Sequence, residues 1–366
     1  MRITRVEAIP FRIPYLKPLR WGVAGYLDAA EHVLVRIHTD EGLVGTAEAI
    51  PRPTIYGESQ ASIVHALREW FIPMLTGKDP FALEHIWRQM EAIHWNPTAK
   101  GAIDLALHDI QAQRAGVPAY LYLGGNSSRV PLSWMLGIHD DIRETVEEAR
   151  MRHQEGFGSF KVKVGRNPKQ DILLVKALRE ALGDDVMIYV DANMSYTFHE
   201  ALETIVAMKD WGISLVEEPL KVGQKKARQQ LASRISVPIL GDESVFTPEE
   251  VAQEIALGAI GAISIKTPRT GYSRSRKILN MAEAAGIGCL VGTQAESHLG
   301  TLPSAHFAAA FGNIRYPSEI SFFLDISDSL LEDPLPLRDG HLELGEQPGF
   351  GIRLDPEKLQ KYRLDL

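Results

Sequence analysis

Six charged residues recur at the ends of short apolar, β-branched runs. They are Lys161 and Lys163 in FKVKVG, Asp191 in IYVDAN, Glu217 in LVEEP, Asp242 in ILGDES and Lys266 in SIKTP. A charge at the end of a buried strand is costly unless it meets a partner, a metal or water. One such carboxylate by itself reads as a helix cap or an arginine partner. Three on consecutive predicted strands, with no Cys or His beside them, point to a hard divalent cation, Mg²⁺ or Mn²⁺. Lys161 and Lys163 are two apart on one strand and so share a face. Mutual repulsion and burial predict a lowered pKa for each, as suits a base working near neutral pH. Lys266 follows the sixth predicted strand of the repeat and Lys163 the second, which are opposite positions in an eight-stranded ring. The two would flank a bound substrate, with the metal at the base. That arrangement suits proton transfer at the carbon next to a carboxylate.

Further candidates are weaker. Asn193, two residues after Asp191, points the same way and is read as a donor to a substrate oxygen. Glu243, adjacent to Asp242, is expected to face away and to support the ligands from behind. Glu296 and His298 in GTQAESHLG could polarise substrate, though a loop-stabilising hydrogen bond accounts equally for His298. Tyr56 in RPTIYGES and Trp21 in the aromatic segment from Leu16 to Ala30 are read as lining the entrance, against a core-packing alternative. That segment, with Pro18, Gly22 and Gly25, reads as a loop, either packed on the surface or lid-like. Asp104 and His108 lie i, i+4 on a helix. The spacing would permit metal ligation, but a solvated or helix-packing polar pair is the stronger reading.

The elements that must carry these residues are periodic. Residues 1–50 read as strands, with a hairpin turning at Asp40-Glu41-Gly42. Helical patterns follow at 58–75, 81–94 and 98–115, the last ending at Gly116. LGGN at 123–126 marks a break. From about 130, apolar runs (VPLSWML, SFKVKV, VMIYV, ISLVE, VPILG, AISIK, GCLVG) alternate with helical stretches such as HEALETIVAMKDWG, at roughly 25-residue intervals. The expected fold is α/β: a (β/α) barrel of seven or eight units, with an α+β N-terminal cap completed by the C-terminal tail. The expected division is 1–125 for the cap, 126–325 for the barrel and 326–366 for the returning tail. An open doubly wound sheet would more often show a Gly-rich phosphate loop, and none is visible.

Bulk properties narrow the class. The 366 residues are 45% hydrophobic and 23% charged, with a net charge of −8, the composition of a globular chain. No basic tract speaks for nucleic acid, no run approaches a membrane span, and MRITRVEAIPFRIPY lacks a signal peptide's apolar stretch. A cytoplasmic setting is expected, with Cys289, the single cysteine, as a small core residue. Broad barrel faces suggest a homo-oligomer.

Together, KVK at 161–163, the acids of VDAN, EEP and GDES, and IKT at 265–267 resemble the enolase superfamily, and within it the muconate lactonizing enzyme subgroup. PTIYGES, NPTAKGAIDLALHD and FLDISDSLL extend the resemblance over essentially the whole chain. It implies Asp191, Glu217 and Asp242 as metal ligands and a small-molecule carboxylate as substrate. Within the subgroup the chain looks most like muconate cycloisomerases, a resemblance that implies conversion of cis,cis-muconate to muconolactone. By analogy Lys163 carries the proton for syn addition, Lys266 serves anti addition, and Lys161 stabilises charge. The same scaffold also hosts dipeptide or N-acylamino acid epimerases and o-succinylbenzoate synthases. EEP here replaces the EQP of many relatives and keeps the ligand position.

Overall fold

The computed structural model describes residues 1–21, 25–139 and 141–364, with the side chains at 19–21 and 25 outside that description. The cap opens with a three-stranded antiparallel sheet, β1 (Ile3–Trp21), β2 (Gly25–Thr39) and β3 (Val44–Ala49). The β2–β3 hairpin turns at Asp40–Gly42, where Gly42 takes a φ of 81°. The segment read as a loop from Leu16 onward is instead the far end of the β1–β2 hairpin, with Leu19 opposite Leu27 and Trp21 opposite Gly25. Its register shifts between Pro14 and Leu19, which places Pro18, with no N–H to give, in the irregular stretch.

Helices α1 (Pro53–Tyr56), α2 (Gln60–Ala66), α3 (Ile72–Leu75), α4 (Leu83–Glu91), α5 (Pro97–Ala115) and α6 (Ala119–Leu123) complete the cap. α5 is buried from Thr98 to Ala112. A helix apolar on most of its circumference belongs at the centre of a domain seam, and α5 packs on the sheet on one side and the barrel on the other.

A short strand, β4 (Arg129–Pro131), leads into the barrel. Strands and helices then alternate: β5 (Trp134–Met135), α7 (Ile142–Gln154), β6 (Ser159–Lys163), α8 (Pro168–Leu182), β7 (Met187–Asp191), α9 (Phe198–Lys209), β8 (Ile213–Glu217) and α10 (Lys225–Ala232). The second half continues with β9 (Ile239–Gly241), α11 (Pro248–Leu257), β10 (Ala262–Ile265), α12 (Thr267–Ala284), β11 (Gly288–Val291) and α13 (His298–Ala310). Strands β5 to β11 form one parallel sheet in sequence order. The segment 313–319 joins its two edges. Cys289 N donates to Asn313 O at 2.9 Å, Glu319 N to Val291 O at 2.8 Å, and Ser133 N to Ser318 O at 2.8 Å. Pro317 interrupts this segment, so only single bridges form on either side of it, Cys289 with Ile314 and Leu132 with Ser318.

The tail returns to both domains. β12 (Leu337–Arg338) and β13 (His341–Glu343) pair with β4, while α14 (Pro356–Tyr362) lies against β1 and Leu364 N donates to Pro10 O. Among the described residues no helix is long and apolar enough to cross a membrane.

Candidate active site

Alternation along the parallel strands sorts side chains into two faces. Ile188, Val190, Val216, Ile239 and Ile263 join the large core against the helices. Tyr189, Leu215, Leu240, Ala262 and Leu290 form a separate layer inside the barrel. One step further along, the inward positions become polar. Lys163 pairs in register with Asp191 and Asp191 with Glu217, and Asp242 lies two residues beyond Leu240, the partner of Glu217. Lys266 follows β10. The strand ends from β6 to β10 therefore read Lys, Asp, Glu, Asp, Lys.

The outer lysines each hold the nearest acid. Lys163 Nζ lies 2.6 Å from Asp191 Oδ2 and donates to Asn193 Oδ1 at 2.9 Å. Lys266 Nζ is ion-paired with Asp242 Oδ2. Lys161 reaches up from the layer below, 2% exposed, and stands 2.6 Å from Glu217, 3.1 Å from Asp191 and 3.0 Å from Glu319. Burial alone would lower the Lys161 ammonium, but the carboxylates of Asp191, Glu217 and Glu319 outweigh it and raise it well above the usual lysine range. This reverses the sequence expectation for Lys161, because three acids sit within 3.1 Å of its ammonium. Lys266 is raised in the same way, burial being outweighed by Asp242.

The acids are unequal. Burial would raise the Asp242 carboxyl, yet Lys266 and Arg269 hold it at about 2. Asp191 is likewise held down by Lys161 and Lys163 against its burial. Glu217 goes the other way: burial and the neighbouring Asp191 and Glu319 push it well above the carboxylate range. Both its oxygens face the Lys161 ammonium, Oε2 at 2.6 Å and Oε1 at 2.8 Å. Among the described residues no three acidic or imidazole groups already form a closed ion cage. The row Asp191, Glu217 and Asp242 nonetheless offers an all-oxygen donor set of the type a hard dication takes.

The neighbours fall into two groups. Asn193, with φ 41°, accepts from Lys163, and its Nδ2 donates to Glu243 Oε1 at 3.2 Å. Glu243, pushed up to about 8 by burial and by Asp242 and Asp191, thus stands behind the row. Glu218, adjacent to Glu217, turns away to accept from the backbone of Asp242 and Ser244, fixing the β9 end. Tyr56 is brought in from the cap; it is largely buried and lines the cleft at the seam of cap and barrel. Its hydroxyl accepts from Arg269 Nη1 at 3.2 Å and from Gln294 Nε2.

Among the described residues, the hydrogen bonds and ring contacts of Glu296 and His298 go to groups outside the row. Glu296 is fully buried and its Oε2 accepts from Thr293 and Gln294, with burial pushing it to about 7. His298 packs edge-on against Phe323 at 5.2 Å, and burial lowers it to about 4. The side chain of Trp21 lies outside the described residues.

Two site residues carried little sequence signal. Glu319 comes from the irregular closing segment, pairs with Lys161 and accepts from Tyr189 OH at 2.8 Å. Arg269, three residues after Lys266, lies 3.2 Å from Asp242 Oδ1 and stacks over Phe246 at 4.2 Å. Its KTPR spacing on a helical turn was the available clue. Beside Arg269 and Tyr56, a cleft of about 410 Å³ opens at the seam of cap and barrel, walled by Trp87, Trp95, Lys100 and Arg274. From the cap, Glu48 pairs with His32 and accepts from Ser297 N at 3.2 Å and Gly300 N at 2.8 Å, capping α13.

Comparison with known proteins agrees with this architecture. The N-terminal domain of mandelate racemase / muconate lactonizing enzyme matches residues 9–124, and an enolase C-terminal domain-like model matches 144–358. The muconate lactonizing enzyme from Mucobacterium Smegmatis, solved in complex with muconolactone, is 42% identical, with a TM-score of 0.96 and 100% of both chains covered. The hydrophobic dipeptide epimerase of Enterococcus faecalis is 35% identical over 90% of this chain and 93% of its own. A dipeptide epimerase from that species, solved with Mg and the dipeptide L-Leu-L-Tyr, is 33% identical, with a TM-score of 0.92, covering 96% of this chain and 99% of that one. Matched through both cap and barrel, the chain belongs to the enolase superfamily, within its muconate lactonizing enzyme subgroup.

Proposed function

We propose that the protein is a muconate cycloisomerase, converting cis,cis-muconate to muconolactone. The observation that carries this reading is the row of strand ends, in which acids are bracketed by a lysine on each side. Asp191, Glu217 and Asp242 are the residues that would hold Mg²⁺ or Mn²⁺. When bound, that ion supplies fixed positive charge where an oxyanion develops. The four cations Lys161, Lys163, Lys266 and Arg269 are matched by the four acids Asp191, Glu217, Asp242 and Glu319. A dication therefore leaves the site two charges positive, which suits a dicarboxylate.

In the reaction one carboxylate oxygen of muconate bonds to the alkene carbon that closes the lactone ring. The displaced electron pair moves to the carbon beside the other carboxylate and takes a proton there. Lys163 delivers that proton from its ammonium, held toward the row by Asp191 and Asn193. Lys161 and Lys266, both held cationic by their acids, stabilise the developing charge. Solvent then reprotonates Lys163. The similarity to the muconolactone complex supports this choice.

A second reading is favoured by the same pair of outer lysines and by the likeness to a dipeptide epimerase. One lysine would remove the α-proton and the other return it on the opposite face. A spectrophotometric assay with cis,cis-muconate and Mn²⁺, with product stereochemistry in D₂O read by NMR, separates the two. Absence of turnover, together with α-proton exchange in dipeptides, would replace the first reading by the second.

A further inference from the structure

Helix α12, which starts directly after Lys266, is not one helix. Gly271 breaks it with φ 58° and ψ −174°, leaving a first turn at Thr267–Thr270 and a restart at Tyr272. The first turn carries the chemistry: Lys266 precedes it and Arg269 lies within it. A restart exposes new backbone N–H groups that need acceptors.

The acceptor comes from the other domain. Asp104, in the middle of α5 and fully buried, receives Tyr272 N and Ser273 N on Oδ2, the latter at 3.0 Å. Its Oδ1 receives the Ser273 hydroxyl and Trp87 Nε1. His108 Nδ1 stands 3.2 Å away, and the carboxyl is held ionised against its burial by His108 and Ser273. One helical turn earlier on the same face, Gly101 lets α5 press on the first turn, since a Cβ there would collide with Pro268 O. A Cβ at Gly271 would likewise collide with the Asp104 carboxylate. Both backbone approaches are thus built around the contact. From the barrel side, Thr270 Oγ1 donates to Lys266 O at 2.9 Å and Arg269 N to the same oxygen at 3.1 Å, so the turn moves as a unit with Lys266.

We propose that Asp104 is a positioning residue for Lys266 and Arg269: by capping the restart of α12 from the cap domain, it fixes the turn that aims both cations at Asp242. Asp104 touches neither cation and makes no contact with the lysine–carboxylate row. It acts through the backbone amides of Tyr272 and Ser273, with the Ser273 hydroxyl as a further donor.

The test compares Asp104→Ala, Asp104→Asn and the milder Ser273→Ala by hydrogen exchange and by turnover. Exchange of the 262–275 segment should accelerate on the order of tenfold or more in Asp104→Ala, by local rather than global opening. The segments 159–163 and 187–191 should keep wild-type rates. Ser273→Ala, which removes one of the four donors to the carboxylate, should give a smaller change in the same segment. A uniform acceleration, or none at 262–275, overturns the proposal. The turnover arm rests on the muconate reading. There kcat should fall on the order of ten- to a hundredfold with KM changed much less, as for a misplaced group rather than a lost binding contact. A kcat unchanged in a variant whose 262–275 segment has loosened also overturns it. If the wild-type protein turns over neither muconate nor dipeptides, the functional reading fails while the exchange result still decides the role of Asp104.

Discussion

Replacing Lys161 by methionine separates the electrostatic frame of the site from its chemistry. The side chain is 2% exposed, and its ammonium is the shared partner of Asp191, Glu217 and Glu319. Methionine fills similar space and removes only the charge. Breaking a buried ion pair from one side typically costs about 3–5 kcal/mol, because the partner charge remains buried. Here the three acids share the loss. Protonation of one of them limits the damage at low pH, so the penalty should be largest at pH 8 and shrink toward pH 5. Urea unfolding in EDTA should show a loss of about 3–5 kcal/mol at pH 8. Millimolar Mg²⁺ should then stabilise Lys161→Met more than wild type, since the dication takes over the role of the missing cation. A variant within about 1 kcal/mol of wild type in EDTA, the worth of an exposed pair, would refute the reasoning. So would an identical Mg²⁺ increment in both proteins.

Three further outcomes are expected. Lys163→Ala should lose at least ~10²-fold in kcat, the scale of a missing general acid or base; if Lys266→Ala loses the more, the proton arrives on the other face, and the deuterium stereochemistry must agree. Asp242→Asn should keep its fold by circular dichroism while Mg²⁺ binding, read by calorimetry, weakens sharply; full activity in EDTA would remove the metal from the mechanism. His306 accepts Tyr120 N on Nδ1 at 3.1 Å and faces Phe350 O through Nε2, and burial lowers it to about 4. Its folded pKa lies below the unfolded value of about 6.5, so its contribution is full above that pH and is lost as pH falls toward 4, by about 3 kcal/mol. His306→Asn should be less stable at pH 7.5 and yet lose less than wild type between pH 6.5 and 4.5, and parallel curves would contradict this.

What could be read from the sequence follows from what is local. The row from Lys163 to Lys266 was visible because each charge ends its own apolar strand, and strand alternation then aims them all inward. The interruption by Pro317 hid the closing segment, and with it Glu319. The hairpin end beyond Leu16 was obscured by Pro18 and glycines, whose loop signal yields to pairing across the sheet. Asp104 and His108 were visible as an i, i+4 pair, and helix packing was among the readings. Nothing local, however, indicates that Asp104 receives its donors from residues 272 and 273. The raised Lys161 was missed for the same reason, since its acids lie on three other elements.

The capping of α13 by Glu48 has a bearing on how the two domains can be treated. A barrel parted from its first 120 residues would leave the amides of Ser297 and Gly300 without their acceptor. Rigid-body swinging at a hinge would meet the same penalty. In building chimaeras, a foreign lid domain would have to bring a carboxylate to the spot that Glu48 now fills, and grafts chosen by surface shape alone should yield insoluble protein.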